Sequence, residues 1–131
     1  MNFRSEEEID HFLATFDSGT LPRYCWTHAA HIAMCTAQLW NLGTLDQIRA
    51  GIQQYNASQG TPASAYHETL TRFWIETVRA YLKDNPQSSR LDAVRNAIKI
   101  LGLDSALPRK RYTFDVFYSP EARASWIPPD C

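Results

Sequence analysis

Apolar residues recur at helical spacing through most of residues 5–101, and this periodicity restricts the chain to an α-helical fold. The first segment places four apolar side chains on one helix face, at positions i, i+3, i+4 and i+7: Ile9, Phe12, Leu13 and Phe16. Ser5 and Glu8 stand three residues apart at its start, which is the pattern of a capping box. The sequence therefore predicts a first helix that begins after Ser5.

Capping residues and chain breakers divide the rest of this region into four more helices. Thr27 and Ser89 are the expected N-caps of the second and fifth helices. Thr44 and Gln47 form a capping box for the third helix, and the fourth is expected to begin near Pro62, which suits a first-turn position. The expected inward face of the second helix is Ile32, Cys35, Leu39 and Leu42. That of the fourth is Leu70, Trp74, Thr77, Val78 and Tyr81.

Residues 103–131 depart from the helical pattern and are rich in aromatic side chains. The segment YTFDVFY, which begins at Tyr112, partly alternates and predicts a short strand or an extended strap. Ser119 and Pro120 suit the N-cap and first position of a short helix. We therefore predict an all-α fold, in which residues 1–131 form one domain. Its bundle of about five helices has an aromatic-rich C-terminal tail that packs back on it.

The composition favours a globular protein without a nucleic acid or membrane partner. A length of 131 residues suits one domain, and the net charge of −1 gives no electrostatic case for nucleic acid or an anionic membrane. No apolar run approaches the length of a membrane span. The three cysteines are odd in number and lack C-x-x-C spacing, so a reducing cytoplasm is the expected location.

Three of the four histidines fall in two short segments, WTHAAHI from residue 26 and AYHETLTRFW from residue 65. In an up-down array, the second and fourth helices run parallel, so their N-terminal ends lie at the same end of the bundle. His28 and His31 share a helix face, and His28 and His67 continue the apolar faces of their helices. We therefore expect His28, His31 and His67 to point into a pocket at one end of the bundle.

Two forms of chemistry suit such a pocket. In the first, two or three of these imidazoles hold Zn²⁺, Fe²⁺ or Ni²⁺ with an open position for water, and Glu68 acts as the base. In the second, a neutral histidine acts as a general base without a metal. In either form Trp26, Tyr66 and Arg123 are the expected ligand-binding residues, and a small molecule is the expected ligand.

Each of these residues also has a structural interpretation. Inward histidines at helix N-termini are often core residues whose nitrogens are satisfied within the protein. Glu68 has Arg72 four residues on and is expected to pair with it if it is not a base. The alternative function is a non-enzymatic interaction module, in which exposed aromatics such as Tyr118 and Trp126 form a homodimer or partner surface.

Three stretches together resemble a family of small bacterial proteins of unknown function: GTLPRYCWTHAAHI, YHETLTRFW and SPEARASWIPPD. They span residues 19–130 and so cover most of the chain. The resemblance implies a single domain but carries no activity or substrate. It draws attention to nine residues: Trp26, His28, His31, Tyr66, His67, Glu68, Arg123, Trp126 and Asp130.

Overall fold

Six α-helices make up the regular secondary structure, together with short 3₁₀ turns and no strand, in a computed structural model that describes all 131 residues. The helices are α1 (Glu6–Ser18), α2 (His28–Trp40), α3 (Leu45–Ser58), α4 (Glu68–Asp84), α5 (Arg90–Leu101) and α6 (Pro120–Ala124). The predicted all-α single domain is confirmed, with the sixth helix a short one in the tail. None of the helices is both long and apolar enough to cross a membrane.

The predicted N-caps are confirmed at five of the six helices. In each, a side-chain oxygen accepts the backbone N–H three residues on at 3.1–3.2 Å, and the capping residues are Ser5, Thr27, Thr44, Ser89 and Ser119. The capping box is complete only at the start of α3. At α1, the Glu8 carboxylate accepts the Arg4 N–H instead, at 2.8 Å. Short-range hydrogen bonding thus defines most helix starts.

The chain from α1 to α2 and the chain from α3 to α4 have the same local architecture. In both, a helix leads to a proline, a three-residue 3₁₀ turn and a second helix, and the two prolines, Pro22 and Pro62, lie 40 residues apart. The two turns are Arg23–Cys25 and Ala63–Ala65. Few residues are identical at this offset. The structure therefore contains a repeat that the sequence does not indicate.

Two predictions at helix ends are wrong. α4 begins at Glu68 rather than near Pro62, because Pro62 begins the 3₁₀ turn and His67 acts as the N-cap. α2 ends at Trp40, and Leu42 lies beyond it in a left-handed conformation, with φ of 64°. The Leu42 side chain is 89% exposed instead of buried on the face of α2.

α2 is the central helix of the main core. Seven of its residues are buried: Ala30, Ile32, Ala33, Met34, Cys35, Thr36 and Ala37. Most of its packing is against α5, whose Ala93 and Ala97 are also fully buried. Small side chains allow two helix backbones to approach closely. The main core is therefore built around the α2–α5 contact, and α4 packs on α2 beside it.

The buried face of α4 differs from the predicted one. The buried residues are Thr69, Phe73, Ile75 and Val78, so only Val78 was predicted correctly as a fully buried residue. Two surfaces cover this helix, because Ile75 and Val78 belong to the main core while Phe73 packs against the tail. Leu70 and Trp74 are only half-buried, and both border a cavity.

The tail packs back on α4 as predicted, but without a strand. It contains a 3₁₀ turn, Leu107–Lys110, and α6, and it forms a second small core with Phe73: Tyr112, Val116 and Ala122. At its end the Asp130 carboxylate accepts hydrogen bonds from the N–H and hydroxyl of Thr113, at 2.8 and 2.6 Å. These bonds lower the pKa of Asp130 and close the tail into a loop.

Candidate functional site

A cavity of about 410 Å³ lies at the N-terminal ends of α2 and α4, and α3 and the tail complete its walls. Its floor is formed by buried side chains: Met34, Cys35, Ile48, Ile52 and Ile75. Its mouth is marked by the exposed residues Arg23, Ala65 and Ser105. Burial raises the pKa of the Cys35 thiol to about 12, so this cysteine is a protonated part of the floor, as its place on an apolar face indicated.

The cavity lies between corresponding faces of the two repeats. Four pairs of lining residues, each with one member from either repeat, stand 40 positions apart: Trp26 and Tyr66, His31 and Thr71, Met34 and Trp74, Cys35 and Ile75. The two segments thus contribute lining residues at matching positions along the chain, but the paired side chains differ in type.

Trp26 forms a rigid aromatic wall of the cavity. Its ring stacks on Phe16 with centroids 4.7 Å apart and lies 5.2 Å from the ring of Tyr55. The His31 ring lies against it at a centroid distance of 3.8 Å. Rings packed on three sides keep a wall in place without a ligand. The structure thus brings Trp26 into the cavity as the sequence predicts.

His31 presents a neutral imidazole to the cavity. Its Nδ1–H donates to the carbonyl oxygen of Thr27 at 2.7 Å, which leaves Nε2 as an unprotonated acceptor. Burial is the main cause that lowers its pKa from 6.5 to about 4, and the charges of His28 and Arg23 lower it further. At neutral pH this side chain is therefore an acceptor without charge.

His28 connects the start of α2 to the end of α5. Its Nε2–H donates to the Leu101 carbonyl oxygen at 3.0 Å, which satisfies one of the free carbonyls at that helix end. Its ring also lies 4.5 Å from the ring of Trp74. His28 lines the cavity, but it also has a clear structural role.

Both ring nitrogens of His67 are used within the protein. Nδ1 accepts the N–H of Leu70 at 3.1 Å as the N-cap of α4, and Nε2–H donates to the carbonyl oxygen of Val116 at 2.8 Å. Burial is the main cause that lowers its pKa, so the neutral form that these bonds need is favoured. His67 therefore has no lone pair free for a metal.

The predicted metal centre of three histidines is not found. His28, His31 and His67 all line the one cavity, but no group of three His, Cys, Asp or Glu side chains is arranged to hold a metal ion. The physical reason is the hydrogen bonding of His67, which a metal would have to break. Binding of Zn²⁺, Fe²⁺ or Ni²⁺ by the other two imidazoles stays a prediction.

Glu68, the predicted base, is held in an ion pair outside the cavity lining. Nε and Nη2 of Arg49 donate to its two carboxylate oxygens at 2.8 and 2.6 Å, and the hydroxyl of Tyr66 donates at 2.8 Å. Arg49 is the main cause that lowers the Glu68 pKa. The expected pairing with Arg72 is wrong, because Arg72 lies 3.9 Å from Glu76.

Arg123 does not line the cavity but connects two of its walls. Its guanidinium donates to the carbonyl oxygens of Ala65 and Phe117, at 3.0 and 3.3 Å, and both of those residues line the cavity. Of the aromatics expected on an interaction surface, Tyr118 is 76% exposed. Trp126 is half-buried in the tail core beneath the guanidinium of Arg72.

Several polar lining residues were missed at the sequence level. They are Arg23, Asn56, Thr61, Thr71 and Ser105. Arg23 is the only lysine or arginine in the lining, and no aspartate or glutamate lines the cavity. Its position in the turn just before the WTHAAHI segment was the one signal that would have identified it.

Comparisons with protein-family models, with curated proteins and with solved structures find no match for this chain. The resemblance indicated by the three sequence motifs therefore stays an expectation.

Proposed function

We propose that this protein binds a small molecule in the cavity at the N-terminal ends of α2 and α4. The observation that carries the proposal is the cavity itself, of about 410 Å³ and lined by 19 residues of which 11 are hydrophobic. Ligand sites in proteins are typically apolar concavities of roughly 300–1,000 Å³ with a few convergent polar groups. Here the imidazole of His31 and the guanidinium of Arg23 are such groups.

The network around the cavity supports a site that is formed before the ligand arrives. The Arg49–Glu68–Tyr66 contacts hold one wall, and Arg123 holds the turn before α4 against the tail. A preformed site avoids the entropy cost of ordering its walls on binding. This favours specific recognition of a ligand over loose apolar association.

The two candidate bases, His31 and Glu68, are better suited to binding than to acid–base catalysis. A general base works best when its pKa is near the working pH, whereas the His31 pKa is about 4. The other proposed base, Glu68, is occupied by Arg49 and Tyr66. His31 is better suited to accept a hydrogen bond from the ligand, and the metal-dependent enzyme remains a separate prediction.

A cavity-filling variant tests the proposal. Asn56 is half-buried and lines the cavity from α3, whereas Gln53 is exposed on the same helix and does not line it. A fragment library is screened by thermal shift, because ligands that bind only the folded state raise Tm. We expect compounds that stabilise the wild type and Gln53→Trp to lose their effect on Asn56→Trp.

Two outcomes would overturn the proposal. One is that no fragment stabilises the wild type. The other is that fragments stabilise Asn56→Trp as strongly as Gln53→Trp. Circular dichroism of both variants checks that each retains the helical fold, so a lost shift reports the cavity and not unfolding.

A further inference from the structure

We infer, on the basis of the proposed function, that the ligand is an aromatic carboxylate whose carboxyl group pairs with Arg23 at the cavity mouth. The charges of the lining carry this inference. Arg23 is its one guanidinium, and no carboxylate side chain lines the cavity to balance it or to receive a cationic ligand. A single planar guanidinium matches a carboxylate in charge and in its pair of hydrogen bonds.

Arg23 is available for such a pair. It takes part in none of the ion pairs of the protein, and its guanidinium donates to the hydroxyl of Thr61, which is also a lining residue. It is exposed at the mouth, where an anion would lose little hydration on binding. Its positive charge also acts inside the cavity, because it helps to lower the pKa of His31.

The interior of the cavity determines the rest of the ligand. The floor is apolar and the walls carry the rings of Trp26, Tyr66, Trp74 and Phe117, so a flat ring is the complementary shape. The unprotonated Nε2 of His31 makes no hydrogen bond within the protein and can accept one. The best ligand therefore also carries a hydroxyl or N–H on its ring.

Three compounds that differ only in the terminal group test the inference by isothermal titration calorimetry. They are 4-hydroxyphenylacetate, the neutral 4-hydroxyphenylacetamide and the cationic tyramine. We expect the carboxylate to bind about tenfold more tightly than the amide, which is about the effect of one charged hydrogen bond, and tyramine to bind most weakly. Of the three compounds, only the carboxylate should bind more weakly when salt is added.

Arg23→Gln is the matched variant, because glutamine keeps a donor for Thr61 but has no charge. We expect it to abolish the roughly tenfold preference for the carboxylate, because the affinity for the carboxylate should fall about tenfold more than the affinity for the amide. Arg95→Gln is the control, since Arg95 is exposed on α5, lies outside the cavity lining and forms no ion pair. It should retain the full preference.

Equal affinity for the three compounds, a preference for tyramine, or a preference that survives Arg23→Gln would overturn the inference. If the amide binds as tightly as the carboxylate, the inference is overturned but the proposed small-molecule site is supported. Binding of none of the three compounds would also overturn the inference, and the fragment screen with Asn56→Trp would then decide the proposed function by itself.

Discussion

The Nε2 atom of His67 lies 2.8 Å from the carbonyl oxygen of Val116, which is 49 residues further along the chain. Because the other ring nitrogen caps α4, one imidazole fixes the start of a helix and fastens the tail to it. The tail in turn contributes Phe117 to the cavity. His67, which we expected to be a metal ligand, therefore stabilises the cavity by joining α4 to the tail.

Replacing His67 by alanine should lower the free energy of unfolding by about 2 kcal/mol, since it removes a helix cap and a buried hydrogen bond. His67→Asn should lower it by only about 1 kcal/mol, because asparagine also caps helices well. Urea unfolding measures both losses. They should be the same with and without a chelator, whereas a metal bound through His67 would make the loss disappear after chelation of the wild type.

Stability should fall on mild acidification because His31 is half-buried in its neutral form. Its pKa is about 4 in the folded protein and 6.5 when unperturbed, so between these values the unfolded chain binds a proton that the folded protein does not. Stability is then complete above pH 6.5 and should fall by about 2 kcal/mol by pH 5. His67, whose pKa is also lowered, adds to the same trend.

Unfolding curves of His31→Gln at several pH values test this origin. Glutamine has no titrating group. Between pH 6.5 and pH 5 the free energy of unfolding of this variant should therefore fall by about 2 kcal/mol less than that of the wild type. His11→Gln is the control, because His11 is exposed and lies outside the cavity lining. An unchanged pH dependence in His31→Gln would exclude His31 as the source.

Glu68→Gln should reduce the free energy of unfolding by about 1–2 kcal/mol, because it breaks a half-buried bidentate pair with Arg49. Ligand binding should be retained, since Glu68 does not line the cavity. Glu76→Gln is the control and should cost less than about 0.5 kcal/mol, because the pair of Glu76 with Arg79 is exposed. Loss of ligand binding without loss of stability in Glu68→Gln would instead favour a direct role for Glu68.

Leu42→Gly should raise the free energy of unfolding by about 1 kcal/mol. Leu42 adopts a left-handed φ of 64° with its side chain 89% exposed, so glycine relieves backbone strain without loss of packing. Leu103→Gly is the matched control, because Leu103 is 86% exposed in a loop but has no positive φ. It should leave stability unchanged or lower it, and thermal denaturation distinguishes the two variants.

The sequence was sufficient to predict most of the helices and the end of the bundle at which the cavity lies. Caps such as Thr27 and Ser89 act over three residues, so they can be recognised locally. The start of α4 was placed near Pro62 instead of at His67, because proline suits both the first turn of a helix and the position before a 3₁₀ turn. A histidine N-cap, moreover, is not among the usual capping residues.

Long-range pairs lay beyond the sequence patterns. Arg90 donates to the carboxylates of Glu6 and Asp10, at 2.7 and 2.6 Å, across 84 and 80 positions of the chain. No local spacing indicates such a partner, and the same holds for Arg49 with Glu68. The face of α4 was misjudged for a related reason, since Phe73 is buried by tail residues that lie far along the chain.

The way in which the cavity is assembled has a consequence for the growing chain. α2 packs mainly against α5, so the main core can form only after α5 has left the ribosome. The cavity, in addition, needs Phe117 and is braced by Arg123, which are synthesised long after the walls from α2. Under the proposed function, a nascent chain would therefore bind the ligand only after synthesis has passed Arg123.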